Sequence, residues 1–382
     1  MTDPALAAGD ADEVSPLELF FDLVFVFAVS QLSHHLLTHL DLRGAAETAV
    51  MLIAVFGVWS YTSWGASLPG VRQDQHRWTM LAVMVVGLFM NSGISNAFSD
   101  HPLLFVVPFL LCRLGPALWW VATSTQLRDH YGAMLIWFSV AGLIWAGGAF
   151  AAPEHRLAWW TVAAAVELAG TWLAHPVPRR HHFRTEEVSF EPGHMLERSR
   201  LFLLIALGEA ILGCGTAVAG SLPSPASYTT AAFSMVAIIA LWKLYFGRAD
   251  RLIAERAATT SDPLRAARLA VNTQILVLAG LICLAVANEL AIAQPTGDTD
   301  RALVLVMFGG PALYLGTQSW YLKAVTGTST RPGLLGLGAL VAGAAISTMV
   351  DPITASAILC AILVIYTAAT RRPHQAAAAQ GL

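Results

Sequence analysis

The stretch LFLLIALGEAILGCGTAVA, from Leu201 to Ala219, contains 19 residues and only one charged side chain, Glu209. A run of about 20 predominantly apolar residues can cross the hydrocarbon core of a bilayer as one α-helix. Blocks of this kind recur along the whole chain of 382 residues. The predicted fold class is therefore all-α, a polytopic transmembrane helical bundle.

The composition of the chain excludes several classes of protein. Hydrophobic residues make up 56% of it and charged residues 12%, whereas soluble domains carry about 25% charged residues. These values exclude a soluble enzyme, a disordered chain and a basic nucleic-acid binder. The four cysteines lie singly in different apolar blocks, a pattern that indicates neither a disulfide framework nor a zinc site. We predict no metal and no cofactor, and the lipid bilayer as the main partner.

Hydropathy and charge together predict about 12 spans and their orientation. The spans run roughly over 19–38, 46–66, 78–97, 103–124, 131–151, 157–175, 199–219, 228–247, 268–291, 302–323, 333–350 and 352–370. This division puts 18 of the Lys and Arg residues on one face and 3 on the other. Because cytoplasmic loops are enriched in these residues, we expect both termini in the cytoplasm. The first 14 residues hold four acids and no base, so no cleaved signal is expected.

Similar motifs in the two halves predict an internal duplication. Span 4 contains LGPALWW (Leu114–Trp120) and span 10 contains GGPALYL (Gly309–Leu315). Six spans in each half would give two parallel repeats. The predicted organisation is a tail (1–15), a first six-helix repeat (16–175), a cytoplasmic loop (176–198), a second six-helix repeat (199–370) and a tail (371–382).

The matched Gly-Pro pairs are candidate helix breaks. Interrupted helices in corresponding positions of two halves indicate a midplane binding site in a transporter. The alternative is that the prolines only kink two helices for packing. The residues concerned are Gly115, Pro116, Gly310 and Pro311.

Three charged residues are predicted near the membrane midplane: Arg113, Glu167 and Glu209. A charge at this depth costs about 2.5–3.5 kcal/mol on insertion scales, so it normally faces a partner or water. One Arg can neutralise one carboxylate, which would leave the second acid free to titrate. The alternative is an ion pair that only joins two helices.

A second set of polar candidates lies near the cytoplasmic ends of spans 1 and 7. Glu18 and Asp22 are one helical turn apart. The alternative to a functional role is that both carboxylates cap the N-terminus of the helix. A basic partner for them must come from another helix, with Arg113 and Arg198 as candidates. The other candidates of this set lie at the start of span 7, and they are His194, Glu197 and Arg198.

These segments resemble a known family. SPLELFFDLVFVF (Ser15–Phe27) followed by QLSHH (Gln31–His35) is similar to the opening signature of the bacterial low temperature requirement A (LtrA) proteins. HMLER (His194–Arg198) and LGEAIL (Leu207–Leu212) resemble that family's second block. The resemblance covers about residues 15–370. It implies a multi-spanning protein of the bacterial inner membrane, linked by name to growth in the cold, without a settled biochemical activity.

The resemblance adds weight to the candidates that fall in the matching blocks, among them Glu18, Asp22, His194 and Glu209. One departure concerns Asn272, where family members often carry a His early in the equivalent of span 9. Any proton or metal role at that position is therefore in doubt in this chain.

Three functions from different classes follow. The first is a transporter or channel for a small solute or ion, with Arg113, Glu167, Glu209 and Asp22 around a midplane site. The second is an intramembrane enzyme in which Asp22 or Glu209 donates a proton to a lipid or isoprenoid substrate. The third is a structural or accessory protein. No P-loop, GxSxG or HExxH motif is present, and the sequence does not determine the oligomeric state.

Overall fold

The structure, a computed structural model, describes residues 14–66, 73–177, 192–249 and 263–371. Within these ranges the chain forms twelve α-helices and no β-strand, which confirms the predicted all-α fold. In chain order they are α1 (Pro16–Thr38), α2 (Leu42–Ala66), α3 (Gln73–Ser92), α4 (Leu103–Thr123), α5 (Arg128–Phe150), α6 (Pro153–Leu173), α7 (Pro192–Gly220), α8 (Pro225–Leu244), α9 (Pro263–Ala293), α10 (Arg301–Thr326), α11 (Arg331–Ser347) and α12 (Pro352–Arg371).

Nine of the helices in the described ranges are long and apolar enough to cross a membrane. The other three are α3, α6 and α11, of which α11 is apolar but has only 17 residues. The chain is therefore a polytopic helical membrane protein. The crossing of the bilayer by α3, α6 and α11 stays a prediction.

Most helices begin a few residues before the predicted span, because their first turns contain polar residues that hydropathy leaves outside the span. Ser15 caps α1 with its hydroxyl, and Glu18 bonds back to the Ser15 backbone amide at 2.8 Å. The Ser224 hydroxyl caps α8 by accepting a hydrogen bond from the Ser227 backbone N–H. Proline occupies the first turn of α1, α6, α8 and α11, where its missing N–H costs nothing.

The third helix departs most from its predicted range, because it runs over 73–92 instead of 78–97. After it, residues Ile94–Asn96 form a separate 3₁₀ turn. The helix ends at Gly93, where a Cβ would lie 2.5 Å from the backbone oxygen of Leu104. The chain thus turns where only a glycine allows α3 to meet the start of α4.

The chain divides into two compact units, residues Met1–Phe202 and Leu203–Leu382. In the first unit α1 packs on α2 and α3, successive helices from α2 to α6 are neighbours, and α6 returns to α2. In the second unit α8 to α12 follow one another as neighbours, and α12 returns to α8. Five helices of each unit, α2 to α6 and α8 to α12, thus have the same order of neighbours. Parallel repeats would produce this order, and the duplication stays a prediction. Most of the predicted loop 176–198 lies outside the described residues.

The Gly-Pro pairs do not interrupt their helices, so the predicted breaks at Gly115, Pro116, Gly310 and Pro311 need correction. Both α4 and α10 run through their internal prolines without ending. Each proline only removes one backbone donor from a continuous helix. The glycines differ in surroundings: a Cβ on Gly115 would meet nothing within 4 Å, whereas one on Gly310 would lie 2.6 Å from the oxygen of Gly280.

We expect Gly310→Ala to destabilise the second unit, because its methyl group would press on the Gly280 backbone of α9. Overpacking of this kind costs about 1–3 kcal/mol. Gly309→Ala is the matched control, because a Cβ there meets nothing within 4 Å. Thermal unfolding in detergent measures the difference. Equal melting temperatures for the two variants would show that α9 and α10 are not in close contact here.

Candidate functional site

Glu18 connects the start of α1 to the start of α7. Besides closing the cap of α1, its carboxylate lies 3.2 Å from Nε2 of His194 and 3.7 Å from Nη1 of Arg198. The capping interpretation of Glu18 is therefore correct, and the same group also serves an inter-helix cluster. Glu197 does not join this cluster: it pairs with Arg200 at 2.6 Å, and both side chains are more than a third exposed.

Asp22 and Arg198 form a fully buried ion pair one turn deeper. Arg198 Nη2 donates to Asp22 Oδ1 at 2.8 Å, and both side chains are 0% exposed. Trp59 Nε1 of α2 donates to the same oxygen at 2.7 Å. The Trp59 ring stacks on Phe56 and on Phe202, with centroids 5.3 and 4.5 Å away. Three helices thus meet at one carboxylate in this unit.

Arg113 forms the second buried ion pair of the first unit, and its partner is Glu167. The Arg113 Nη2 to Glu167 Oε2 distance is 2.9 Å, with both side chains buried. Arg113 Nη1 also donates to the carbonyl oxygen of Gly57 at 3.3 Å. Gly57 permits this approach, because a Cβ there would already lie 3.4 Å from Glu167 Oε2.

Two aromatic rings enclose the Arg113 guanidinium. Its Cζ lies 3.9 Å from the ring centroid of Phe138 and 4.3 Å from that of Tyr61. Cation–π contacts of this kind strengthen when the cation is removed from water. The Tyr61 hydroxyl is 2.7 Å from Thr171 Oγ1 and 2.8 Å from His175 Nε2. A series of hydrogen-bonded side chains therefore extends from the ion pair to the C-terminal end of α6.

Sequence reasoning missed Tyr61, Phe138, Thr171 and His175. Little in the sequence indicated that they belong to a site, because each is an aromatic or polar residue of a common type. Glu209 lies half-buried on the part of α7 that belongs to the second unit. A site that joins Glu209 to Arg113 therefore stays a prediction.

A small cavity borders the Arg113 pair. Its volume is about 30 Å³, enough for two or three water-sized groups, since one water needs about 10–15 Å³. His76 faces it from α3 with 8% exposure, and neither ring nitrogen has a hydrogen-bond partner. Arg113 Nε is likewise without a partner. The complete lining is Val58, Tyr61, Thr62, Gly65, His76, Thr79, Cys112, Arg113, Pro116, Ala117, Trp120, Tyr131, Met134 and Phe138.

At the opposite end of α1, His35 contacts a carboxylate of α2. His35 Nε2 lies 3.2 Å from Glu47, and Arg43 reaches the other oxygen of Glu47 at 2.9 Å. His39 stacks on His35 with centroids 4.7 Å apart. Among the described residues, no group of three or more His, Cys, Asp or Glu side chains is arranged to hold a metal ion.

Comparison with known proteins identifies relatives over nearly the whole chain. The family described as bacterial low temperature requirement A protein (LtrA) matches residues 13–368. An uncharacterized protein of Rhizobium meliloti (strain 1021) is 29% identical over 339 residues, which cover 87% of this chain and 83% of the relative. No solved structure matches the chain.

We expect Asp22→Asn to destabilise the first unit strongly, because it leaves the Arg198 charge buried without a full counter-charge. Breaking a buried ion pair costs about 3–5 kcal/mol. Glu197→Gln serves as the control, since an exposed pair contributes at most about 1 kcal/mol. Thermal unfolding of both variants tests the prediction. If Asp22→Asn melts no earlier than Glu197→Gln, the Asp22–Arg198 pair does not support the fold.

Proposed function

We propose a transport function for this chain, which belongs to the bacterial low temperature requirement A (LtrA) family. The protein is a transporter or channel for a small solute or ion, located in the cytoplasmic membrane with both termini in the cytoplasm. The cavity beside the Arg113–Glu167 pair is the binding site. The observation that carries the proposal is that this cavity is bordered by buried polar groups without partners.

Unpaired donors in an apolar interior are the reason for expecting a ligand there. Each buried polar group without a hydrogen bond costs about 1–3 kcal/mol. His76 and Arg113 together present three such nitrogens. The Asp22–Arg198 pair also leaves Asp22 Oδ2, Arg198 Nε and Arg198 Nη1 without hydrogen-bond partners, but neither of these residues lines this cavity. An occupant that accepts hydrogen bonds would remove this cost.

The size of the cavity limits the polar part of the occupant. About 30 Å³ accommodates a group of two or three oxygen-sized atoms. The Arg113 charge is balanced by Glu167, so the site favours hydrogen-bond acceptors without a large net positive field. Carboxylic acids and small anions that enter together with a proton have this chemistry, because they add no uncompensated charge to the apolar interior.

The intramembrane enzyme is less well supported. A proton-donating acid must border the space that holds the substrate, and neither Asp22 nor Glu209 lines the cavity. Asp22 is fully enclosed and engaged by Trp59 and Arg198.

The test is a double substitution, Arg113→Gln with Glu167→Gln, assayed in proteoliposomes. Removing both charges avoids an unpaired buried charge, so the fold should survive. The probes are protons, chloride, nitrate, phosphate and linear carboxylates from acetate to decanoate. We expect at least one to be taken up by the wild type, and its rate to fall at least tenfold in the double variant.

The control is the double substitution Glu197→Gln with Arg200→Gln, which removes the exposed pair. Its uptake should equal that of the wild type. Uptake no faster than in empty liposomes for every probe, or a full rate in the Arg113/Glu167 variant at an unchanged melting temperature, would refute the proposed transport site.

A further inference from the structure

An apolar groove lies between α3 and α4 in the first unit. Its volume is about 300 Å³, at the lower end of the range for small-molecule sites. Trp78, Leu111 and Trp119 on its walls are exposed, as expected for a groove that faces lipid. The lining residues are Gln75, Trp78, Thr79, Ala82, Val83, Val86, Leu111, Cys112, Gly115, Pro116 and Trp119.

The length of the groove matches one leaflet of a bilayer. From Gln75 to Val86 the lining of α3 spans twelve residues, or about 16 Å of helix. Half of the hydrocarbon core is about 15 Å. The polar and aromatic residues, Gln75, Trp78 and Trp119, lie near the predicted cytoplasmic ends of these helices, where aromatic side chains favour the membrane interface.

Gly115 gives the groove its depth. It lies in the middle of the lining, and a Cβ there would meet nothing within 4 Å. A larger side chain at this position would extend into the groove without displacing other parts of the protein.

The groove and the polar cavity share part of their walls. Thr79, Cys112 and Pro116 line both spaces. Pro116 has no backbone N–H, so the carbonyl of Cys112 lacks the donor that an ordinary helix would supply at this position. Beyond this shared wall lie His76 and Arg113 Nε, which are buried and without hydrogen-bond partners.

We propose that the groove and the cavity together bind a single-chain carboxylate from the bilayer, with its chain in the groove and its head group at His76 and Arg113. To reach these nitrogens, the head group must pass the wall of Thr79, Cys112 and Pro116 that the two spaces share. The cavity volume fits the two oxygens of one carboxylate, and Arg113 Nε and one ring nitrogen of a neutral His76 can donate hydrogen bonds to them. This inference names the substrate class of the proposed transporter and rests on that function for its role, whereas the binding is measured without transport.

The test is calorimetric titration of linear carboxylates from acetate to decanoate into the protein in nanodiscs, with empty nanodiscs subtracted. Burying each added methylene should tighten binding about fourfold until the groove is full. Gly115→Phe, which fills the groove, should abolish this chain-length dependence and leave the affinity for acetate within about twofold. Gly309→Phe is the matched control, because its Cβ also meets open space.

Ala82→Phe fills the same groove from α3 and replaces Gly115→Phe if that variant does not fold. Affinity that does not depend on chain length, or an unchanged chain-length dependence in the groove-filled variants, overturns the proposal. Acetate binding and uptake would in that case leave the proposed function intact. If no carboxylate binds, the ligand class is wrong, and the transport proposal then depends on the other probes.

Discussion

The cost of placing charge in an apolar interior is the constraint on which the first unit depends. Asp22 with Arg198 and Arg113 with Glu167 each join helices that are distant in sequence. Neither member of a pair is tolerable alone at this depth, so each pair fixes which helices are neighbours. Trp59 adds α2 to the first pair, and the Gly57 carbonyl adds α2 to the second. Two groups of α2, the Trp59 indole and the Gly57 carbonyl, therefore each contact one of the buried pairs.

Helix number and type were predictable because they depend on local sequence. Apolar blocks of membrane length identify each helix, and the described helices agree with the predicted spans within a few residues at most ends. The differences come from interactions that hydropathy does not report. The Ser15–Glu18 cap extends α1 into a polar segment, and the close approach of Gly93 to Leu104 ends α3 early.

The partners within the candidate site were not predictable from one sequence. Arg113 had two carboxylate candidates at similar depth, Glu167 and Glu209, and the choice depends on how helices rotate about their axes. Asp22 likewise had two basic candidates. The Gly-Pro motif illustrates the same limit, because proline predicts a lost hydrogen bond but not whether the helix ends. In α4 and α10 the surrounding packing keeps the helix continuous.

The two buried pairs differ in the space beside them, and we infer different roles from this difference. Both pairs leave polar atoms without hydrogen-bond partners: Asp22 Oδ2, Arg198 Nε and Arg198 Nη1 at the first pair, and Arg113 Nε at the second. Neither Asp22 nor Arg198 lines the cavity or the groove described above, whereas Arg113 lines the cavity together with His76, whose ring nitrogens also lack partners. A pair needed only to join α4 and α6 would be more stable without that space, because packed atoms would replace it. The unfilled volume beside unpaired nitrogens is therefore the feature that the fold alone does not explain, and the proposed ligand would fill it.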